Sequence, residues 1–366
     1  MKVAVRSSLL VPLALVCATF AGRLAAWDYD GHRMVNQLAL ASLPADFPAF
    51  VREPANAERV AFLAGEPDRW RNVNDPTLLN VNGVDHYLDL EELDDAGLDP
   101  TKVSSLRYEF ARQFAAGRAA HADRFPPIDP AKNTDHSREW AGFAPWAITE
   151  YYDKLKSAFS YLKALEELGT PEEVANARQN VIYIMGVMGH YVGDGAQPLH
   201  ATVHHHGWVG PNPEGYSTWY GIHAWIDGGL IAKGGIKPGP LLPRVSPAQP
   251  ISLATRPDGR DPMFAAVMDY FLGTQKLVVP LYRLEKDGKF GNDKVTVQPD
   301  GTKTTESRPL SDEGRAFIET QLLRGGQMLG AIWLTAWRSA GPDTYLRGEL
   351  IKRQAATQAV PQGGTR

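Results

Sequence analysis

Apolar residues recur every three or four positions along most of this chain, the spacing of amphipathic helices, and only short stretches break the rhythm. Between 31 and 43 they fall at Val35, Leu38, Ala39 and Leu43, which share one helical face. From Ile148 to Leu168 the series Ile148, Tyr152, Leu155, Phe159, Leu162 and Leu165 marks a long helix, with Gly169 where a C-terminal cap belongs. Thr170-Pro171-Glu172-Glu173 reads as a capping box with proline in the first turn, opening a helix that runs to about Asp194. A last long helix is expected after Ser311, burying Phe317, Leu322, Leu329, Ile332, Trp333 and Trp337.

Two stretches lack the helical period. Residues 207–260 are dense in Gly and Pro, apart from a short helical piece around His223 to Asp227. Within 285–310, Val295-Thr296-Val297 followed by Pro299-Asp300-Gly301 predicts a small surface β-hairpin. No internal repeat, heptad series or strong domain boundary interrupts the pattern. The expectation is an all-α chain with a single mainly helical domain over 27–353 and a disordered polar tail over 354–366.

The first 26 residues change the picture. Lys2 and Arg6, an apolar run from Leu9 to Phe20, and the small pair Ala25-Ala26 read as a secretory signal, although Leu24 departs from an Ala-x-Ala site. Cleavage after Ala26 would make Trp27 the new chain start, in a secreted or periplasmic protein. No later segment is apolar for long enough to span a bilayer. A monomer with no stable membrane association is therefore expected. The sole cysteine, Cys17, lies inside the signal, so core packing or metal, not disulfides, must hold the exported chain. A lipoprotein reading at Cys17 would need a small residue where Val16 stands.

Net charge is −4, and losing Lys2, Arg6 and Arg23 with the signal lowers it to −7. A duplex-binding protein that works by neutralising phosphate is normally basic. A polyanionic substrate would have to be drawn in locally, as a cluster of divalent cations could do.

The residues that could hold such cations are spread along the chain. His190-Tyr191-Val192-Gly193-Asp194 places a histidine and an aspartate four apart on one helix face, and Gln197-Pro198-Leu199-His200 follows directly. His223-Ala224-Trp225-Ile226-Asp227 repeats the spacing. One such pair is ordinarily a helix-surface hydrogen bond. Two pairs with a third histidine give five N and O donors, a mix that suits zinc. At the chain start, the Trp27 amine and carbonyl could chelate a metal with His32. Asp68 and His86 add donors upstream, though Asp68 could also be a helix cap and Asp89 could simply begin an acidic stretch. His204-His205-His206 reads as a solvated turn.

The ordered set Trp27, His32, Asp68, His86, His190, Asp194, His200, His223 and Asp227 resembles the trinuclear zinc site of the S1/P1 nuclease family, whose fold bacterial zinc-dependent phospholipase C shares. The resemblance runs from Trp27 to Asp227. It implies Zn2+, three per chain: one on Asp68, His86, His190 and Asp194, one on Trp27, His32 and a bridging Asp194, and one on His200, His223 and Asp227. It further implies in-line attack on phosphorus by a water the paired ions acidify. In that scheme Asp68 orients the water and Arg71 grips a phosphate oxygen, unless Arg71 is a solvated surface charge. Tyr87 and Asp89 match the family's His-[Phe/Tyr]-x-Asp pattern, with the ring stacking on a nucleobase and the carboxylate accepting its amino hydrogens.

The activity implied is hydrolysis of single-stranded RNA and DNA to 5′-phosphates, with 3′-nucleotidase activity beside it. The alternative is a phospholipase C acting on phosphatidylcholine-like lipids. Asp227, where those lipases generally carry Glu, and the 23-residue interval from His200 to His223 favour the nuclease. A third reading has zinc only stapling helices together, but the last site offers just three protein donors, which argues for an open position. The chain departs from the nucleases after His200, where His204-His205-His206-Gly207-Trp208 replaces their Asp-x-Gly-Gly-Asn segment, in a longer interval before His190, and in lacking disulfides.

Overall fold

Helix α1 (Tyr29–Ser42) starts at Asp28, whose carboxylate accepts the Tyr29 N–H at 2.7 Å. The computed structural model describes residues 27–297 and 303–359. The signal-like residues 1–26, the expected turn Pro299-Asp300-Gly301 and residues 360–366 lie outside the described residues. Val35, Leu38 and Ala39 are buried on one face of α1, as their spacing predicts. Helices α2 (Pro54–Leu63), α3 (Glu66–Asn72), α4 (Pro76–Gly83), α5 (Leu90–Asp95) and α6 (Arg107–Ala120) follow in short steps.

The centre of the molecule is a helical hairpin. Helices α7 (Ala144–Leu168) and α8 (Pro171–Asp194) are joined by Gly169 and Thr170. The capping box forms: the Glu173 N–H donates to Thr170 Oγ1 at 3.2 Å, and the Thr170 N–H donates back to the Glu173 carboxylate at 2.9 Å. Gly169 closes α7 by donating to the Leu165 carbonyl at 2.7 Å, with extended rather than left-handed backbone.

The segment from 207 to 260 holds more helix than its composition suggests. Besides α9 (Ile222–Ala224) and the π-turn Trp225–Gly229, it forms the short α10 (Leu230–Gly234) and α11 (Pro238–Leu241). Helices α12 (Pro262–Gln275) and α13 (Val278–Lys286) come next. Strands β1 (Lys294–Val297) and β2 (Lys303–Glu306) pair antiparallel with Val295 opposite Thr305, the expected small hairpin on an otherwise all-α domain.

Helix α14 (Asp312–Ser339) starts at Ser311, whose hydroxyl accepts the Gly314 N–H at 3.0 Å, and packs on α1, α7 and α8. Leu322, Leu329, Ile332 and Trp333 are fully buried, while Phe317 and Trp337 are half-buried. It is not the last helix. After Gly341-Pro342, α15 (Thr344–Ala359) docks against α7, so residues 354–359 are helical where a disordered tail was expected. Polar side chains of α15 have partners around the α7–α8 turn: Arg347 pairs with Glu167, Arg353 with Glu173, and Gln354, the first residue of the expected tail, donates to the Leu168 carbonyl. Leu350 is buried beneath them.

Close approach of α1 and α2 to α8 is what assembles the site, and glycine permits it. Asn36 on α1 donates to the Val60 carbonyl at 2.7 Å and to the Gly186 carbonyl at 3.0 Å, tying three helices together. A Cβ at Gly189 would fall 1.6 Å from Asn36 Oδ1. Gly189→Ala is therefore expected to cost about 1–3 kcal/mol or more by overpacking. A thermal midpoint within a degree of wild type would contradict this contact.

Candidate metal centre

Five separate segments deliver the donors. Helix α1 supplies His32, α3 supplies Asp68, and the 3₁₀ turn Val84–His86 supplies His86. The last turn of α8 supplies His190 and Asp194; the turn Pro198–His200 extends it and carries His200. The α9 and π-turn segment supplies His223 and Asp227. A π-turn is rare and recurs at functional sites. All eight side chains are buried or nearly so.

Three groups of donors lie close enough to hold metal ions: His32, Asp68 and His190; His86, His190 and Asp194; and His200, His223 and Asp227. The first two share His190 and interleave, so they form one continuous nest. Asp194 sits at its centre, its carboxylate 3.4 Å from His32 Nε2, 3.1 Å from His86 Nδ1 and 3.4 Å from His190 Nε2. The third set adjoins it, with His200 Nδ1 3.8 Å from Asp194. Gly193 makes room here, because a Cβ would lie 2.9 Å from His32 Nδ1.

Outer partners fix the rings. His190 Nδ1 donates to the Ala64 carbonyl at 2.7 Å, which turns its Nε2 lone pair towards Asp194 and Asp68. His200 Nδ1 donates to the His86 carbonyl at 2.7 Å, leaving Nε2 to face His223 Nε2 at 2.9 Å. Gln197, wholly buried, donates to Asp227 Oδ1 at 2.6 Å and accepts the Leu199 N–H, so Asp227 Oδ2 faces His223 at 3.2 Å. Carbonyl and carboxamide partners of this kind orient metal ligands and set the histidine tautomer.

The charge balance asks for a cation. Among the described residues, both ring nitrogens of His32 and Nε2 of His86 are buried without a hydrogen-bond partner. Burial holds Asp194 and Asp227 well above the usual carboxylate range and Asp68 at about 6, although Arg71 pulls Asp68 down. Burial likewise drives His32, His86 and His223 well below the ordinary imidazole value, and His190 and His200 to about 3. Neutral imidazoles and closely packed carboxylates in a buried nest could hold metal ions.

The remaining residues singled out from sequence fall around this nest. Trp27 is fully buried and donates its indole N–H to the Gly193 carbonyl at 2.8 Å, while the Asp28 N–H donates to the Asp227 carbonyl at 3.2 Å. That strap pins the chain at 27–28 between both halves of the site. Asp68 lies within the first turn of α3 rather than capping it. Arg71 is mostly buried, with Nε 2.9 Å from Asp68 Oδ1, and is not a solvated surface charge. Tyr87 is half-buried with its hydroxyl 3.5 Å from the Trp140 carbonyl. Asp89 is buried, with Oδ1 3.9 Å from His205 Nδ1.

His204-His205-His206 is not the solvated turn its sequence suggests. It forms a half-buried 3₁₀ turn whose His205 and His206 rings lie 6.2 and 5.5 Å from the His223 ring. The Gly/Pro-rich loop behind it turns back on itself, the Trp208 N–H donating to the Ser217 carbonyl at 2.8 Å, and lays Trp208 on His204 and Tyr220 on His206. Sequence reasoning also missed Gln197 and Asn36. Gln197 had a signal in lying between Asp194 and His200; the Ala64 carbonyl had none, because no side chain announces it. No family model, no curated protein and no solved structure matches this chain.

Proposed function

We propose that this protein is a secreted, zinc-dependent phosphodiesterase that hydrolyses single-stranded RNA and DNA to 5′-phosphate products, with 3′-nucleotidase activity on small substrates. One observation carries the reading: eight His and Asp side chains from five segments converge in one buried nest, and the third group ends at three protein donors. A structural site saturates its metal with protein ligands, whereas a set of three leaves a position open.

Asp68, His86, His190 and Asp194 would hold one ion, and His32 with Asp194 a second. Cleavage after Ala26 would free the Trp27 amine, which together with the Trp27 carbonyl completes that second set. His200, His223 and Asp227 would hold the third. When bound, such ions polarise phosphoryl oxygens and bring the pKa of water towards neutrality. The protein's own part is placement. Arg71, fixed against Asp68, presents a planar guanidinium to a phosphate oxygen. Asp68 would orient the attacking water. Gln197 and the Ala64 and His86 carbonyls hold the ligands still.

Denatured DNA and phosphatidylcholine vesicles, assayed side by side with the zinc-loaded protein, test the assignment. Nucleotide 5′-phosphates from DNA and no phosphocholine from vesicles are expected. Phosphocholine release without DNA cleavage would assign a phospholipase C instead, and neither activity would leave the metals a structural role.

A further inference from the structure

We infer that the outer face of Tyr220 is a stacking subsite for a nucleobase beside the His200, His223 and Asp227 group, a refinement that rests on the nuclease reading above. Tyr220 is 67% exposed, yet it is not loose. Its inner face lies flat on His206, with ring centroids 4.3 Å apart and planes 7° from parallel. His206 in turn lies 5.5 Å from His223. Two ring-to-ring steps therefore lead from an open aromatic face to a candidate metal ligand.

The loop that carries Tyr220 is built to hold that ring in place. Gly207, at φ +104, lets the chain pass so close to Thr218 that a Cβ would fall 2.6 Å from its carbonyl carbon. Asn212 closes the loop by donating to the Tyr216 carbonyl and accepting the Tyr216 N–H, both at 2.8 Å. Trp208 stacks on His204 at 3.9 Å, and the Tyr282 hydroxyl donates to the His204 carbonyl. A ring ordered before binding loses little entropy when a flat partner arrives. Tyr87, the ring expected for this work from sequence, is half-buried against Trp140, so the more open face belongs to Tyr220. Nucleobases stack on such faces with little regard to sequence, which suits a strand-tolerant enzyme.

The test compares wild type, Tyr220→Ala and Tyr220→Phe, each zinc-loaded, on a single-stranded oligothymidylate and on an oligomer of the same length made of abasic residues. Tyr220→Ala is expected to raise KM for the oligothymidylate roughly 5- to 100-fold, the equivalent of one base–aromatic stack, with the loss in KM rather than kcat. Tyr220→Phe keeps the ring and restores KM. On the abasic oligomer the alanine variant and wild type should coincide. A KM within twofold of wild type on oligothymidylate, or an equal loss on both substrates, overturns the subsite and leaves the ring as a support for His206. Wild-type protein that cleaves neither oligomer removes the nuclease reading and the subsite together.

Discussion

Asp194→Asn is expected to strip two of the three metal groups and lower phosphodiesterase activity on the order of 10³-fold or more, since several kcal/mol of transition-state stabilisation go with the ions. The reason is its central position: one fully buried carboxylate faces His32, His86 and His190 at 3.1–3.4 Å and His200 at 3.8 Å. Asparagine keeps the shape and one oxygen but removes the charge that two adjacent dications would share. The variant should retain zinc at His200, His223 and Asp227 alone. Stability should move the other way once metal is chelated, because burying Asp194 costs either a desolvated charge or the uptake of a proton, and the amide incurs neither. Chelated Asp194→Asn should therefore melt at or above chelated wild type at pH 7.5, while zinc-loaded wild type melts above both. Metal analysis and paired melts decide the matter. Full zinc content with retained turnover would show that the two groups do not depend on Asp194.

The parts of this arrangement that were legible in sequence are those set by local rules. The capping box at Thr170 fixes where α8 begins, and helical geometry then puts His190 and Asp194 on the same face. The glycines at 189 and 193 were visible too, but not what they admit: that Asn36 and His32 fill those spaces depends on how α1 crosses α8. The His204–His206 turn was misjudged for a related reason. Polar composition next to a Gly/Pro-rich loop signals solvent only if the loop leaves the surface, and here backbone pairing between Trp208 and Ser217 folds it over the histidines. The tail after Arg353 failed in the same way, since nothing in its composition shows that Gln354 reaches the Leu168 carbonyl while Arg347 and Arg353 just before it dock on Glu167 and Glu173. In each case the missing quantity is a long-range partner, which composition does not carry.

Removing metal should lower the pH at which the protein is most stable. Without cations, burial in the folded chain raises Asp68 to about 6 and holds Asp194 and Asp227 well above the ordinary carboxylate value, whereas unfolded aspartates titrate near 4. Above about pH 4 the folded state thus carries the extra protons, and these groups make stability fall as pH rises. The histidines act oppositely. His190 and His200 are lowered to about 3 in the fold, and His32, His86 and His223 lie well below the ordinary value. Unfolded imidazoles take up protons near 6.5, so the contribution of these five is whole above that value and is lost as pH falls below it. Between about 4 and 6.5 the two sets oppose each other. Above 6.5 only carboxyls still protonated in the fold act, and each costs up to about 1.4 kcal/mol per pH unit. Five imidazoles outnumber three carboxyls in the mildly acid window, so chelated protein should gain stability up to about pH 6.5 and lose it above that only as far as a carboxyl still holds its proton. Zinc displaces those carboxyl protons and needs neutral imidazoles, so its affinity and the stability it adds both grow with pH. Melts from pH 4 to 9, in chelator and in zinc, should place the zinc optimum at the higher pH, and adding zinc to unbuffered protein at pH 7 should release protons. Coincident optima with no proton release would mean that no metal exchanges for protons in the nest, and the cation site would fall.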